Sequence, residues 1–269
     1  MVQDLVELAQ RSRLRAVKMC ETAKGAHIGS SLSVIDILVS LYSCVGEDSC
    51  RSQSTTGGDR IIVSKGHAAA GTYAVMAEFG IISEAEISTY GSDSSRLGGH
   101  VSSEVPGIEL STGSLGHGLP YGVGLALAAV RDQFPSRVYV VLSDGECNEG
   151  TTWESALLAA HHNLSLLTVL IDRNRLQSLA GTEDTLRLEP LGAKWEAFGW
   201  QVFEVDGHDH SAIKLAVRAA ADEGRCPTVI ICNTIKGKGV SFMENSVDWH
   251  YRPPSAEEAA RAAQDLGAG

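Results

Sequence analysis

Between residues 4 and 23, the apolar positions Leu5, Leu8, Ala9, Val17 and Met19 recur among charged ones at helical spacing, which predicts an amphipathic helix. Residues 24–31 form a break rich in small side chains. Residues 32–45 are apolar enough for a buried helix, with Ser33 as its N-cap. Residues 46–58 are polar and turn-like. Arg60-Ile61-Ile62-Val63-Ser64 reads as a short buried strand, and 68–79 as a helix packed on it. The stretch 91–113 is long, irregular and rich in Gly and Ser. Loops of that length are uncommon unless functional, so it is a candidate part of a site. A helix of small residues follows over 116–130.

A regular alternation then begins. Strands are predicted at 138–142, 166–171, 201–205 and 228–232, and helices at 153–162, 194–198 and 212–221. Such alternation implies right-handed crossovers and an α/β fold, a parallel sheet with helices on both faces. No repeat and no second domain boundary interrupts residues 1–252. Residues 253–269 read as a tail ending in an Ala- and Glu-rich helix over 256–266, suited to a linker or a docking element.

Composition narrows the function classes. With 43% hydrophobic and 20% charged residues the chain is an ordinary globular one, and 269 residues do not require two domains. Its 22 basic and 33 acidic residues give a net charge of −11, which argues against a nucleic-acid or anionic-membrane partner. An anionic ligand would need a metal or backbone donors to hold it. The six cysteines (Cys20, Cys44, Cys50, Cys147, Cys226, Cys232) form no CxxC pair, so zinc is disfavoured and reduced thiols are expected. No apolar run reaches the roughly 18 residues of a membrane span, and no signal-peptide core opens the chain, so the cytoplasm is the expected compartment.

The sharpest chemistry lies at two predicted strand ends. Ser143-Asp144-Gly145-Glu146 follows one buried strand, and Asp172-Arg173-Asn174-Arg175 ends the next. Ligands collect outside the carboxyl ends of parallel strands, so Asp144 and Asn174 share a rim. A carboxylate and a side-chain amide are hard oxygen ligands suited to Mg²⁺ or Ca²⁺, with phosphate oxygens and water completing the shell. Gly145 lets backbone pass close to a diphosphate. An isolated Asp-Gly is ordinarily only a turn. The second polar strand end, one crossover later, lifts this pair above that reading.

This stretch resembles the thiamine-diphosphate signature, which begins Gly-Asp-Gly and ends Asn-Asn about one crossover later. It departs at Ser143, usually Gly, and at Arg173-Asn174, often Asn-Asn or Asp-Asn. Further segments are similar to transketolase, in order: residues 25–33, Ser64-Lys65-Gly66-His67-Ala68, Gly98-Gly99-His100 with residues 112–116, then residues 234–239 and Trp249-His250. The resemblance implies the diphosphate-binding domain of the thiamine-diphosphate-binding fold. It implies that Asp144, Asn174 and the Leu176 carbonyl hold Mg²⁺ (or Ca²⁺ or Mn²⁺). It also implies that His67, Gly116, His117, Gly145, Glu146 and Asn174 contact thiamine diphosphate. His27, His67, His100 and His250 would line the channel where a two-carbon ketol unit passes from a ketose to an aldehyde, binding hydroxyls and relaying protons.

Three departures touch the substrate end: Ile28 where Pro is usual, His117 where Gln is general, and Tyr251 where Gly follows the histidine. They point to an altered donor or acceptor. Glu149 is either a solvated helix N-terminus or part of a carboxylate network across a subunit interface, and Glu154 is structural. His161, His162, His208 and His210 match no site motif and are expected to be structural or exposed.

Transketolases carry three domains and the chain resembles the first. A separate partner chain with the aminopyrimidine-binding and C-terminal domains, in a heterotetramer, is therefore expected. The alternatives are a 2-oxo acid dehydrogenase alpha-like or deoxyxylulose-phosphate-synthase-like subunit, or a non-catalytic cofactor-binding or regulatory subunit. Nicotinamide binding fails, because no Gly-x-Gly-x-x-Gly follows the first strand of a βαβ unit.

Overall fold

A computed structural model describes residues 4–45, 58–133 and 136–267. Most of the turn-like stretch 46–58, with Cys50, lies outside the described residues. Helix α1 (Leu5–Ala23) starts where the Asp4 carboxylate accepts the Val6 N–H, as an N-cap should. Next come α2 (Ile28–Val45), β1 (Arg60–Val63), α3 (Ala69–Glu78), the single turn α4 (Glu84–Ile87) and α5 (Gly118–Arg131). The alternating half follows as β2 (Val138–Ser143), α6 (Gly150–His161), β3 (Leu167–Arg173), α7 (Thr182–Thr185), α8 (Leu191–Ala197), β4 (Gln201–Asp206), α9 (His210–Glu223) and β5 (Thr228–Asn233). Helix α10 (Ala256–Asp265) closes the order.

The five strands pair in parallel in the order β1-β2-β3-β5-β4. Alternate side chains enter two cores, one on each face. Ile61, Val63, Tyr139, Val141, Leu170 and Ile230 meet α1, α2, α3 and α9. Ile62, Val140, Leu142, Val169, Ile171 and Ile231 meet Leu119 and Val123 of α5, Ala156 of α6 and Trp195 of α8. Helices on both faces of a parallel sheet agree with the pattern read from the sequence. Each fully buried aliphatic side chain contributes about 1.5–3 kcal/mol, so these layers fix the strand ends that the site uses.

Helix α2 departs from expectation. It begins at Ile28 rather than 32, so Ser33 lies inside it and caps nothing; its hydroxyl donates to the Ser30 carbonyl at 3.1 Å and to the Asp172 carboxylate at 2.6 Å. By length and mean hydropathy (1.7) α2 also matches a membrane span, against the expectation that no run is long enough, yet 83% of it is buried inside the protein. Its serines interrupt the apolar run in the sequence; in place Ser33, Ser40 and Ser43 bond locally or to neighbouring elements, while the buried Ser31 hydroxyl has no partner among the described residues. The C-terminal helix α10 docks on α1, where Gln10 donates to the Leu266 carbonyl and Asp265 accepts from Ser241.

Candidate active site

Residues just beyond the carboxyl ends of β1, β2 and β3, three adjacent strands, line a cavity of about 400 Å³. Asp144, Gly145, Asn174 and Leu176 line it at one end, and His27, His67, His100, His250 and Tyr251 at the other. Register brings the first group together: Ser143 pairs with Asp172, so Asp144 and Asn174 leave neighbouring strands side by side.

Backbone donors orient the Asp144 carboxylate, Gly145 N–H at 2.7 Å on one oxygen and Arg175 N–H at 2.6 Å on the other. Asn174 accepts the Leu176 N–H at 3.1 Å, which turns the chain back over the cavity. Burial pushes the Asp144 carboxyl up to about 6, and the nearby Asp172 charge pushes the same way. A divalent cation would supply the missing counter-charge. Among the described residues no three His, Cys, Asp or Glu side chains gather as a self-sufficient metal site. The donor set is one carboxylate, one amide oxygen and one backbone carbonyl, hard ligands that leave room for diphosphate oxygens. These residues fit the metal-diphosphate group.

The four histidines meet as the motif order suggested. The His27 ring lies 5.4, 5.5 and 5.0 Å from those of His67, His100 and His250, and Tyr251 covers it at 5.7 Å. Local structure places each one. His27 takes a left-handed φ of 68° just before α2, and its N–H donates to the His250 carbonyl at 2.7 Å. His67 sits in the turn between β1 and α3. There Gly66 is required, because a Cβ would overlap the Thr112 carbonyl. The 91–113 stretch is irregular, as expected, and Tyr73 pins it: its hydroxyl donates to the His100 carbonyl and accepts the Ser102 N–H. Burial lowers His27 to about 4 and His250 to about 3, and pushes His67 well below the usual imidazole value; nearby lysines add to each shift.

In the sequence those lysines are only parts of motifs, yet Lys65 and Lys236 are fully buried. Lys65 pairs with Asp172, which also accepts from Ser33 and Thr234 and so ties β1, β3, β5 and α2 together. The Lys236 ammonium has three protons and meets three acceptors: the Leu176 carbonyl at 3.4 Å, the Gln177 carbonyl at 2.9 Å and His250 Nδ1 at 2.9 Å. Burial lowers Lys236 to about 8, so at neutral pH it is mostly charged and donates. His250 then carries its own proton on Nε2. A lysine beside glycines directly after an apolar strand was the available signal.

Other expected residues lie off the cavity. Glu146 is fully buried, accepting from Ser64, from Gly116 N–H at 2.8 Å and from Ser143 N–H at 3.4 Å, so it braces the loop before α5. Gly116 is buried with φ 81°, and a Cβ there would overlap Thr151. His117, Glu149 and Glu154 are exposed. Ile28 is buried at the start of α2, and Arg173 turns away from the cavity to Glu189 and Asn233. His161 and His162 face solvent. His208 and His210 instead gather at Asp36.

Such a sheet, with an oxygen-rich anchor and an imidazole-lined channel on one rim, defines a cofactor-binding α/β domain of an enzyme. The chain belongs to the transketolase family: residues 5–269 match the domain described as "Transketolase, thiamine diphosphate binding domain". It is 42% identical over 243 residues to one of the subunits of an apulose-4-phosphate transketolase from Actinobacillus succinogenes, covering 90% of this chain and 88% of that one. It is 37% identical over 241 residues to a 6-deoxy-6-sulfo-D-fructose transketolase subunit of a Clostridium species, covering 89% and 88%. The transketolase of Leishmania mexicana superposes with a TM-score of 0.89 at 26% identity, over 99% of this chain but only 42% of that one.

Proposed function

We propose that the chain is the N-terminal subunit of a split transketolase-like enzyme, transferring a two-carbon ketol unit from a ketose donor to an aldehyde acceptor. The observation that carries this reading is one cavity with Asp144 and Asn174 at one end and four histidines at the other. Its length matches the subunits named above and less than half of the Leishmania enzyme. A second chain, carrying the aminopyrimidine-binding and C-terminal domains, completes the site in a heterotetramer.

Asp144, Asn174 and the Leu176 carbonyl hold Mg²⁺, and Ca²⁺ or Mn²⁺ suits the same oxygens. Gly145, Asn174 and His67 contact the cofactor, while Glu146 acts by holding the Gly116 N–H. His117, exposed here, meets the cofactor only once the partner closes over it. Thiamine diphosphate, when bound, supplies the nucleophilic carbon that carries the transferred fragment. The protein's own task is proton handling. His250, with Nδ1 held by Lys236, offers its Nε2–H to a substrate hydroxyl, and His27, His67 and His100 accept or return hydroxyl protons. Burial lowers His27, His67 and His250 and so keeps those three rings neutral near pH 7. Tyr251, packed 4.7 Å from the His250 ring at the mouth, favours a donor or acceptor other than the common sugar phosphates.

The test is calorimetric titration of thiamine diphosphate and Mg²⁺ into the assembled enzyme. Asp144→Ala is expected to abolish metal-dependent binding, and normal binding by that variant would falsify the site assignment. Fast turnover of xylulose and ribose phosphates would count against the non-standard donor or acceptor.

A further inference from the structure

Away from the cavity, a buried carboxylate organises a second set of charged and ring side chains. Asp36 of α2 accepts from Arg13 of α1, from His208 Nδ1 at 2.6 Å, and lies 3.5 Å from His210 Nε2. His210 Nδ1 in turn meets the Ser40 hydroxyl at 2.8 Å. Two of these groups reach past Asp36 to the chain that follows β5. His208 Nε2 accepts the Ile235 N–H at 2.9 Å, and Arg13 Nε donates to the Lys238 carbonyl at 3.1 Å. The two bonds bracket Lys236. Between them, Lys236 sends its ammonium to His250 Nδ1 and to the carbonyls of Leu176 and Gln177.

Proton placement at His208 follows from its partners. An ionised carboxylate only accepts, so Nδ1 carries a proton; a backbone N–H only donates, so Nε2 carries none. His208 is therefore the neutral Nδ1–H tautomer, and Asp36 selects it. Its role is that of a coupler, converting a fixed carboxylate into a fixed acceptor for the Ile235 N–H.

We propose that Asp36 and His208 are positioning residues for Lys236 and, through it, for the proton location on the His250 ring that faces the cavity. Neither touches the cavity. The idea rests on reading that cavity as the active site, but its test needs only this chain. Backbone bonds from Thr234 N–H to the Arg173 carbonyl, Gly237 N–H to the Gly29 carbonyl and Asn245 N–H to the Lys236 carbonyl also hold the loop, and the Ile235 bond adds the local restraint that keeps Lys236 on Nδ1; without it, His250 exchanges between its two neutral tautomers.

The experiment is long-range proton–nitrogen NMR of histidine-labelled full chain at neutral pH, without cofactor. In the wild type, His208 Nε2 and His250 Nδ1 are expected to resonate as unprotonated nitrogens. His208→Phe keeps a ring and loses both bonds, so the two His250 nitrogens should shift toward a common averaged position. His208→Gln retains one donor and one acceptor on separate atoms and should restore the wild-type His250 signals. Unchanged His250 signals in a folded His208→Phe variant overturn the proposal, as does a failure of His208→Gln to restore them. Should His208→Phe not fold, the wild-type spectrum alone decides: a protonated His208 Nε2 overturns the proposal. Failure of the chain to serve a transketolase reaction would leave these spectra unaffected, so the two readings fail separately.

Discussion

Two groups of histidines join the same loop, residues 234–239, and they are built on opposite plans. At Asp36, both nitrogens of His208 and of His210 face a protein partner, and the buried carboxylate is balanced by Arg13. In the cavity, among the described residues, no protein group hydrogen-bonds the ring nitrogens of His27, His67 or His100, and only Lys236 holds His250. Burial, with neighbouring imidazoles and two buried lysines adding to it, presses His27, His67 and His250 toward neutrality. A histidine satisfied at both nitrogens is part of the framework. One left with free nitrogens on the wall of a cavity is available to a substrate.

Four measurements break or sharpen this contrast. The largest effect is expected at the framework. Asp36→Ala strands the Arg13 guanidinium in the interior, and denaturant titration should register a loss of about 3–5 kcal/mol. A loss below about 1 kcal/mol would mean that the cluster is not a framework at all. His67→Ala should behave in reverse: stability within about 1 kcal/mol of the wild type, while turnover by the assembled enzyme drops on the order of 100-fold or more. If instead stability fell and turnover held, the two plans would be exchanged.

Acid unfolding separates the groups by pH. His27 and His250 lie near 4 and near 3 in the fold, below their ordinary 6.5. The unfolded chain therefore takes up protons below pH 6.5 that the folded chain refuses, and stability falls as pH drops from 6.5 toward 4. For Asp36 burial acts upward, but the His208 hydrogen bond and Arg13 outweigh it and lower the group from 3.8 to about 2. Its stabilisation is present above 3.8 and is lost as pH falls through about 2. His27→Asn, which tolerates the left-handed backbone, should flatten the upper window and leave the lower one in place. An unaltered upper slope would show that the cavity histidines are not the groups titrating there. The smallest effect is reserved for the mouth, where Tyr251→Gly should change the preference between ketose donors by about 10-fold in kcat/KM with little change in cofactor affinity.

The anchor end was legible because its chemistry sits at strand ends, where periodicity locates Asp144 and Asn174 without any knowledge of packing. The five strands were legible for the same reason. The start of α2 was not: Gly29, Ser30 and Ser31 read as a break and Ser33 as an N-cap, and only burial against Lys65, Asp172 and α3 makes them helical. The proton wiring was hidden too. His208 and Lys236 stand 28 positions apart in the sequence, and their link runs through one backbone N–H at Ile235. Glu146 was expected at the cofactor. In the protein it braces the loop before α5, because a fully buried carboxylate must spend its lone pairs on whatever donors surround it.

Three strand ends and several distant segments furnish the cavity wall, so its parts can be altered one at a time. The loops after β2 and β3 carry Asp144 and Asn174, while Tyr251, His100 and His27 arrive on segments far from them in the chain. A substitution at Tyr251 therefore touches the mouth and leaves the anchor intact.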